Sequence, residues 1–151
     1  MELDEMTMDI ELHVDVNGPI EAVYQSVLQQ VGAANVRPDG ESLNMKLEEW
    51  AGGRWYRDRG QGIQHLWGHV QVIKPPSLLE LSGPLLMSYP AINHIEVKLA
   101  ETGGKGTTRV SFRHRAIGML DPGLKEGVQV GWQHLLDAVK GDFAKTEGSQ
   151  T

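Results

Sequence analysis

Gly52-Gly53-Arg54-Trp55-Tyr56-Arg57, a Gly60/Gly62 turn, and then Trp67-Gly68-His69-Val70-Gln71-Val72-Ile73-Lys74-Pro75-Pro76 form the stretch that decides the architecture. Two runs rich in aromatic and β-branched residues flank a glycine turn, which is the pattern of a β-hairpin. A double proline continues a central strand poorly, so Pro75-Pro76 marks a corner.

Working outward, the hydrophobic period switches between two and 3.6. Met8, Ile10, Leu12, Val14 and Val16 alternate with Asp9, Glu11, His13 and Asp15, as in a strand with one buried face. Asn17-Gly18-Pro19 breaks that strand and starts a helix, whose apolar residues Ile20, Val23, Tyr24, Val27, Leu28 and Val31 recur at helical spacing. Gly32 to Glu41 reads as loop, and Leu43, Met45 and Leu47 as a further strand. Beyond the hairpin, Leu78 to Ser82 is strand. Pro84 and Pro90 bracket an irregular segment, either strand or pocket-rim loop. Ile92 to Leu99 and Thr107 to Arg115 are strands joined by the Gly103/Gly104/Gly106 turn. After Asp121-Pro122, a stripe of Leu124, Val128, Trp132, Leu135, Leu136, Val139 and Phe143 predicts a long helix. Glu147 to Thr151 reads as a frayed polar tail.

The order is strand, helix, about six consecutive strands, long terminal helix. Consecutive strands favour an antiparallel sheet, and its apolar face needs a cover that only the last helix is long enough to supply. The expected fold is α+β: a curved antiparallel β-sheet wrapped around a long C-terminal α-helix, with a cavity between them. One domain over 8–145 is expected, with flexible termini at 1–7 and 146–151.

Composition narrows the function. The chain has 151 residues, no cysteine, and a net charge of −6. Disulfides and thiolate metal sites are excluded. The acidic balance argues against nucleic acid or an anionic membrane surface as partner. No apolar run approaches membrane-spanning length, and the acidic N-terminus lacks a signal pattern, so a cytoplasmic location is expected. No cofactor motif is visible. The Gly103–Gly106 turn joins two strands instead of opening a helix, so it is no phosphate cradle. No nucleophile triad or paired catalytic carboxylate is visible, so no catalytic residue is assigned.

Five motifs occur in order: Asn17-Gly18-Pro19-Ile20-Glu21-Ala22-Val23-Tyr24, Gly52-Gly53-x-Trp55, Gly68-x-Val70 leading to Pro75-Pro76, Gly106-Thr107-Thr108-Arg109-Val110, and Gly131-Trp132-x-x-Leu135-Leu136. In this combination the chain resembles the SRPBCC superfamily, and within it homologues of the heat-shock-protein ATPase activator. The resemblance implies the helix-grip fold shared by the birch pollen allergen and START lipid-transfer domains. It implies no single function, because that superfamily includes ligand carriers, cyclases, other enzymes and co-chaperones. The loop after the first helix departs from the branch: Val31 to Asp39 holds only small and polar residues where a tryptophan-containing segment is common.

Pocket assignments depend on the hairpin register, since a slip of one residue inverts every side chain. A two-residue loop at Gly60-Gln61 groups Trp55 and Arg57 with Leu66, Gly68 and Val70. A three-residue loop groups them with His65, Trp67 and His69. The first is preferred, and the resemblance agrees, since the aromatic after the double glycine and the Gly-x-Val valine face inward in that family. A bulge beside Gly60 or Gly68 would reverse it. The expected ligand-binding residues are therefore Trp55, Arg57, Leu66 and Val70 from the hairpin. Asn93, Ile95, Phe112 and His114 join them from later strands, and Trp132 and Leu136 from the helix. Tyr56, His65, Trp67 and His69 would form an outer patch, a candidate interface for a homodimer or another protein.

An inward Arg57 calls for an anionic partner, with a protein carboxylate such as Asp58, Glu80 or Glu96 the first choice. His65 and His69 lie about 13 Å apart in strand rise, too far to share a metal ion, and no metal site is assigned. Gly127 and Gly131 each weaken the last helix, so close backbone approach or cavity room must offset them. The favoured function is binding of a small, mostly hydrophobic or aromatic molecule between sheet and helix. The alternatives are an enzyme using the same pocket with His114 as acid/base, and a co-chaperone-like interaction domain.

Overall fold

The computed structural model describes residues 2–104 and 106–148, with side chains through residue 144. After a short 3-10 turn at Leu3–Glu5, the elements are β1 (Thr7–Val16), α1 (Ile20–Val31), β2 (Met45–Leu47), β3 (Arg54–Asp58), β4 (Gln64–Lys74), β5 (Leu78–Gly83), β6 (Ala91–Glu101), β7 (Thr108–Gly118) and α2 (Leu124–Gly148). The polar tail beyond Gly148 lies outside the described residues.

The seven strands form one antiparallel sheet in the order β1-β7-β6-β5-β4-β3-β2. Every neighbour after the β1–β7 pair is consecutive in sequence, so short loops suffice throughout. The sheet does not close, and α2 lies across it, packed on β1 and α1. This is the helix-grip architecture expected from the element order. Strict alternation in β1 and β7 puts Ile10, Val14, Val16, Val110, Phe112 and His114 inside. The outer face carries Asp9, Asp15, Arg109 and Arg113, joined in two bidentate pairs at 2.8–3.1 Å. Such exposed pairs contribute little stability.

The β3–β4 hairpin combines both candidate registers. Arg59 and Ile63 close a three-residue loop, so Tyr56 pairs with Leu66 and Arg57 with His65. A bulge then inserts one extra residue in β4, after which Trp55 pairs with Gly68. Trp67 and Gly68 are consequently both buried, while His69 is exposed and Val70 buried. Trp55 and Val70 therefore face the core as expected. Two expectations fail. Trp67 turns inward instead of joining the outer patch, and Leu66, expected in the pocket, is 41 % exposed beside Tyr56. The physical reason is the bulge, which period-two alternation does not reveal. Gly68 permits it, since a Cβ there would collide with the Ser82 carbonyl of β5.

Candidate ligand-binding cavity

An open cavity of about 380 Å³ lies beside the N-terminal half of α2. One wall is the helix, contributing Gly127, Val128, Gly131 and Trp132. The facing wall is Trp67 at the β4 bulge. The rim comprises Leu86, from the segment between β5 and β6, and residues Asn35 to Pro38 with Leu43 from the loop after α1. The lining is mainly apolar, and its size falls near the lower end for small-molecule sites.

Local sequence explains how each wall is held. The loop after α1 folds on itself: Val36 bridges Ser42, and the Arg37 amide donates to the Glu41 carbonyl at 2.8 Å. The Arg37 guanidinium sits 3.6 Å from both Asp39 and Glu41, so its charge is balanced at the mouth. From beneath, Trp55 Nε1 donates to the Val31 carbonyl at 3.0 Å, and Arg57 Nε donates to the Leu43 carbonyl at 3.1 Å. Trp55 and Arg57 thus position the loop that forms the rim. Neither lines the cavity, and Arg57 finds a backbone carbonyl where a carboxylate or ligand was expected. On the other rim, Leu85 adopts φ +57°, a left-handed conformation uncommon for leucine. Its amide donates to the Trp67 carbonyl at 2.8 Å, and Leu86 follows at the cavity edge.

Behind the cavity runs a buried polar chain. Trp132 Nε1 donates to His114 Nδ1 at 2.9 Å, which leaves the proton on His114 Nε2, 2.7 Å from Asn93 Oδ1. Asn93 Nδ2 then donates to the Gly83 and Pro84 carbonyls and contacts Met87 Sδ. Asn93 and His114 are fully buried, and burial lowers the His114 pKa to about 4. Both ring nitrogens are committed, and neither Asn93 nor His114 lines the cavity. The acid/base role considered for His114 has no free nitrogen to use. The chain instead ties Trp132 on the helix to the rim segment beyond β5.

Of the expected pocket residues, Trp132 lines the cavity. Val70, Ile95, Phe112 and Leu136 are buried in the adjoining core, where Phe112 packs against Trp132 with centroids 4.8 Å apart. Trp67, expected outside, is the facing wall. Its ring stands edge-on to Trp55 at 5.2 Å and to His65 at 6.3 Å. Trp67 Nε1 is buried without a hydrogen-bond partner, although a buried indole N–H usually has one. The contributions of Asn35, Val36, Arg37, Pro38 and Leu43 were missed. Leu86 lies in the proline-bracketed segment that reads as strand or pocket-rim loop, and Gly127 and Gly131 are the glycines whose cost calls for close backbone approach or cavity room. Among the described residues, no three His, Asp or Glu side chains group closely enough to hold a metal ion, and no helix is long and apolar enough to cross a membrane.

No protein-family model matches the chain, and no curated protein matches it. Solved structures do. Protein CV1439 from Chromobacterium violaceum superposes with a TM-score of 0.67 at 19 % identity, over 89 % of this chain and 96 % of that one. The di-domain ARO/CYC StfQ from the steffimycin biosynthetic pathway gives 0.67 at 14 % identity, over 97 % of this chain and 53 % of that one. CalU16 from Micromonospora echinospora gives 0.62 at 20 % identity, over 89 % and 73 %. At these identities the likeness shows a shared helix-grip fold.

Proposed function

We propose that the protein binds a small, mostly apolar molecule in the cavity between the N-terminal half of α2, Trp67 and the two rim segments. The observation that carries this reading is the open, mainly apolar cavity of about 380 Å³ between two buried tryptophans. Left empty, such a surface forgoes the dispersion contacts and apolar burial that a ligand would supply. A ligand bearing an acceptor oxygen beside Trp67 would be favoured, because the indole N–H has no partner in the protein. Structures sharing the fold include two named for biosynthetic pathways, steffimycin and BE-7585A, which fits a small organic ligand.

The finer likeness to homologues of the heat-shock-protein ATPase activator enters this proposal as ancestry, not activity. A protein-interaction role would use the outer patch of Tyr56, His65, Trp67 and His69, and that patch has lost Trp67 to the cavity. Catalysis is not part of the proposal, because His114 is committed on both nitrogens.

Native mass spectrometry of protein purified from its own host tests the reading, alongside a thermal-shift screen of hydrophobic acids and aromatics. A retained mass in the small-molecule range, or a concentration-dependent rise in melting temperature, is expected. A bare chain that no member of the panel stabilises would sink the proposal.

A further inference from the structure

Helix α2 carries three interior glycines, Gly127, Gly131 and Gly141, and each lowers helix stability relative to alanine. Packing does not require any of them: a Cβ built at each position meets nothing within 4 Å. Gly18 shows the opposite case, since a Cβ there would fall 2.5 Å from the Phe143 ring. Two of the three helix glycines, Gly127 and Gly131, line the cavity, and Gly141 does not. The two lie four residues apart, hence on one helix face and separated by about 6 Å of rise. Between and beside them stand Val128 and Trp132, with Trp67 across the cavity.

We infer that Gly127 and Gly131 are specificity-determining positions of the ligand site. This rests on the cavity being the binding site. Their bare backbone makes a smooth floor one helical turn long, and a planar, fused-ring apolar ligand lies on it between Trp67 and Trp132. A methyl group at either position would stand in the ligand's place without touching the protein. The helix is therefore less stable than it needs to be at the two positions where ligand contact occurs.

The test compares Gly127→Ala, Gly131→Ala, the double variant and Gly141→Ala, by thermal melting and by calorimetric titration with 2-naphthol (planar) and 1-adamantanol (globular). All three single variants should melt higher, by about 2–4 °C each for a chain of this size. The wild type should prefer 2-naphthol. Gly127→Ala, Gly131→Ala and the double variant should each lose at least tenfold in 2-naphthol affinity, while Gly141→Ala keeps the wild-type value. Equal 2-naphthol affinity in Gly131→Ala and Gly141→Ala would overturn the inference and leave the cavity reading standing. So would a wild type that binds the two probes equally well, or a Gly131→Ala that melts lower. A wild type that binds neither probe would overturn both.

Discussion

The two ends of α2 meet the rest of the molecule in opposite ways. At the C-terminal end, Leu136 and Val139 are fully buried, Phe143 covers Gly18, and Ser26 donates to Asp142 at 2.8 Å. At the N-terminal end, Gly127 and Gly131 face open space, the Trp67 N–H is unpartnered, and Leu86 is 44 % exposed. One helix thus supplies a sealed core and an open site. Between them stands Trp132, packed on Phe112 and hydrogen-bonded to His114 on one side, and lining the cavity on the other. A sheet that grips one long helix is thus filled at one end and leaves room at the other, and the side chains at each end decide which.

The largest effect is expected in the buried polar chain behind the cavity. His114→Leu strands Asn93 Oδ1 and Trp132 Nε1, and should cost about 3 kcal/mol in urea unfolding. Leu86→Ala, on the open side, should change stability by less than about 0.5 kcal/mol. Comparable losses from the two would erase the distinction.

Acid should act on the same buried chain. Burial holds the His114 pKa at about 4 against 6.5 in the unfolded chain, so the unfolded state binds the extra proton in between. Stability from this group is complete above pH 6.5 and falls as pH drops toward 4, by a total on the order of 3 kcal/mol. Glu48, held at about 2 by the Arg54 guanidinium, is a half-buried surface group that acts only below its ordinary value of 4.5. Melting curves across pH 4–7 should therefore slope in the wild type and flatten in His114→Gln, which retains one acceptor and one donor.

Gly18, packed under the Phe143 ring, and Gly131, open to the cavity, should respond with opposite signs. Gly18→Ala forces the Phe143 ring to move and should destabilise by about 1–3 kcal/mol. Gly131→Ala should stabilise by up to about 1 kcal/mol. The smallest expected effect separates two touching tryptophans. Both Trp55→Phe and Trp67→Phe lose the same buried ring volume, but Trp55→Phe also leaves the Val31 carbonyl without its donor, whereas Trp67→Phe removes a donor that had no partner, so Trp55→Phe should cost about 1 kcal/mol more. A larger loss at Trp67 would mean that its N–H is engaged after all.

Much of the fold was legible because its signals are local. The alternation of Met8 through Val16 and the helical stripe from Leu124 to Phe143 each report one element's own periodicity. The hairpin was only half legible. Its glycine loop fits two lengths, and one extra residue at Trp67 switches between the registers that those lengths imply. Gly68 was the available sign, since glycine inside a strand often marks a bulge or a close backbone approach. The cavity was less legible still. Residues 35–38 look featureless in sequence, and they become a rim only because Trp55 and Arg57 anchor Val31 and Leu43 from another strand. That relation is tertiary and leaves no periodic trace. Phe112 and His114 do face inward, but into the packed core behind Trp132 and not into the cavity.

Ligand bound in the open cavity should leave the fully buried core around Trp55 unchanged. The chain has four tryptophans, whose indole N–H signals serve as four reporters in a proton–nitrogen correlation spectrum. On titration with 2-naphthol, the indole signals of Trp67 and Trp132 should shift together and saturably, while those of Trp55 and the exposed Trp50 stay in place. Shifts confined to Trp50, or equal displacement of all four, would contradict the claim.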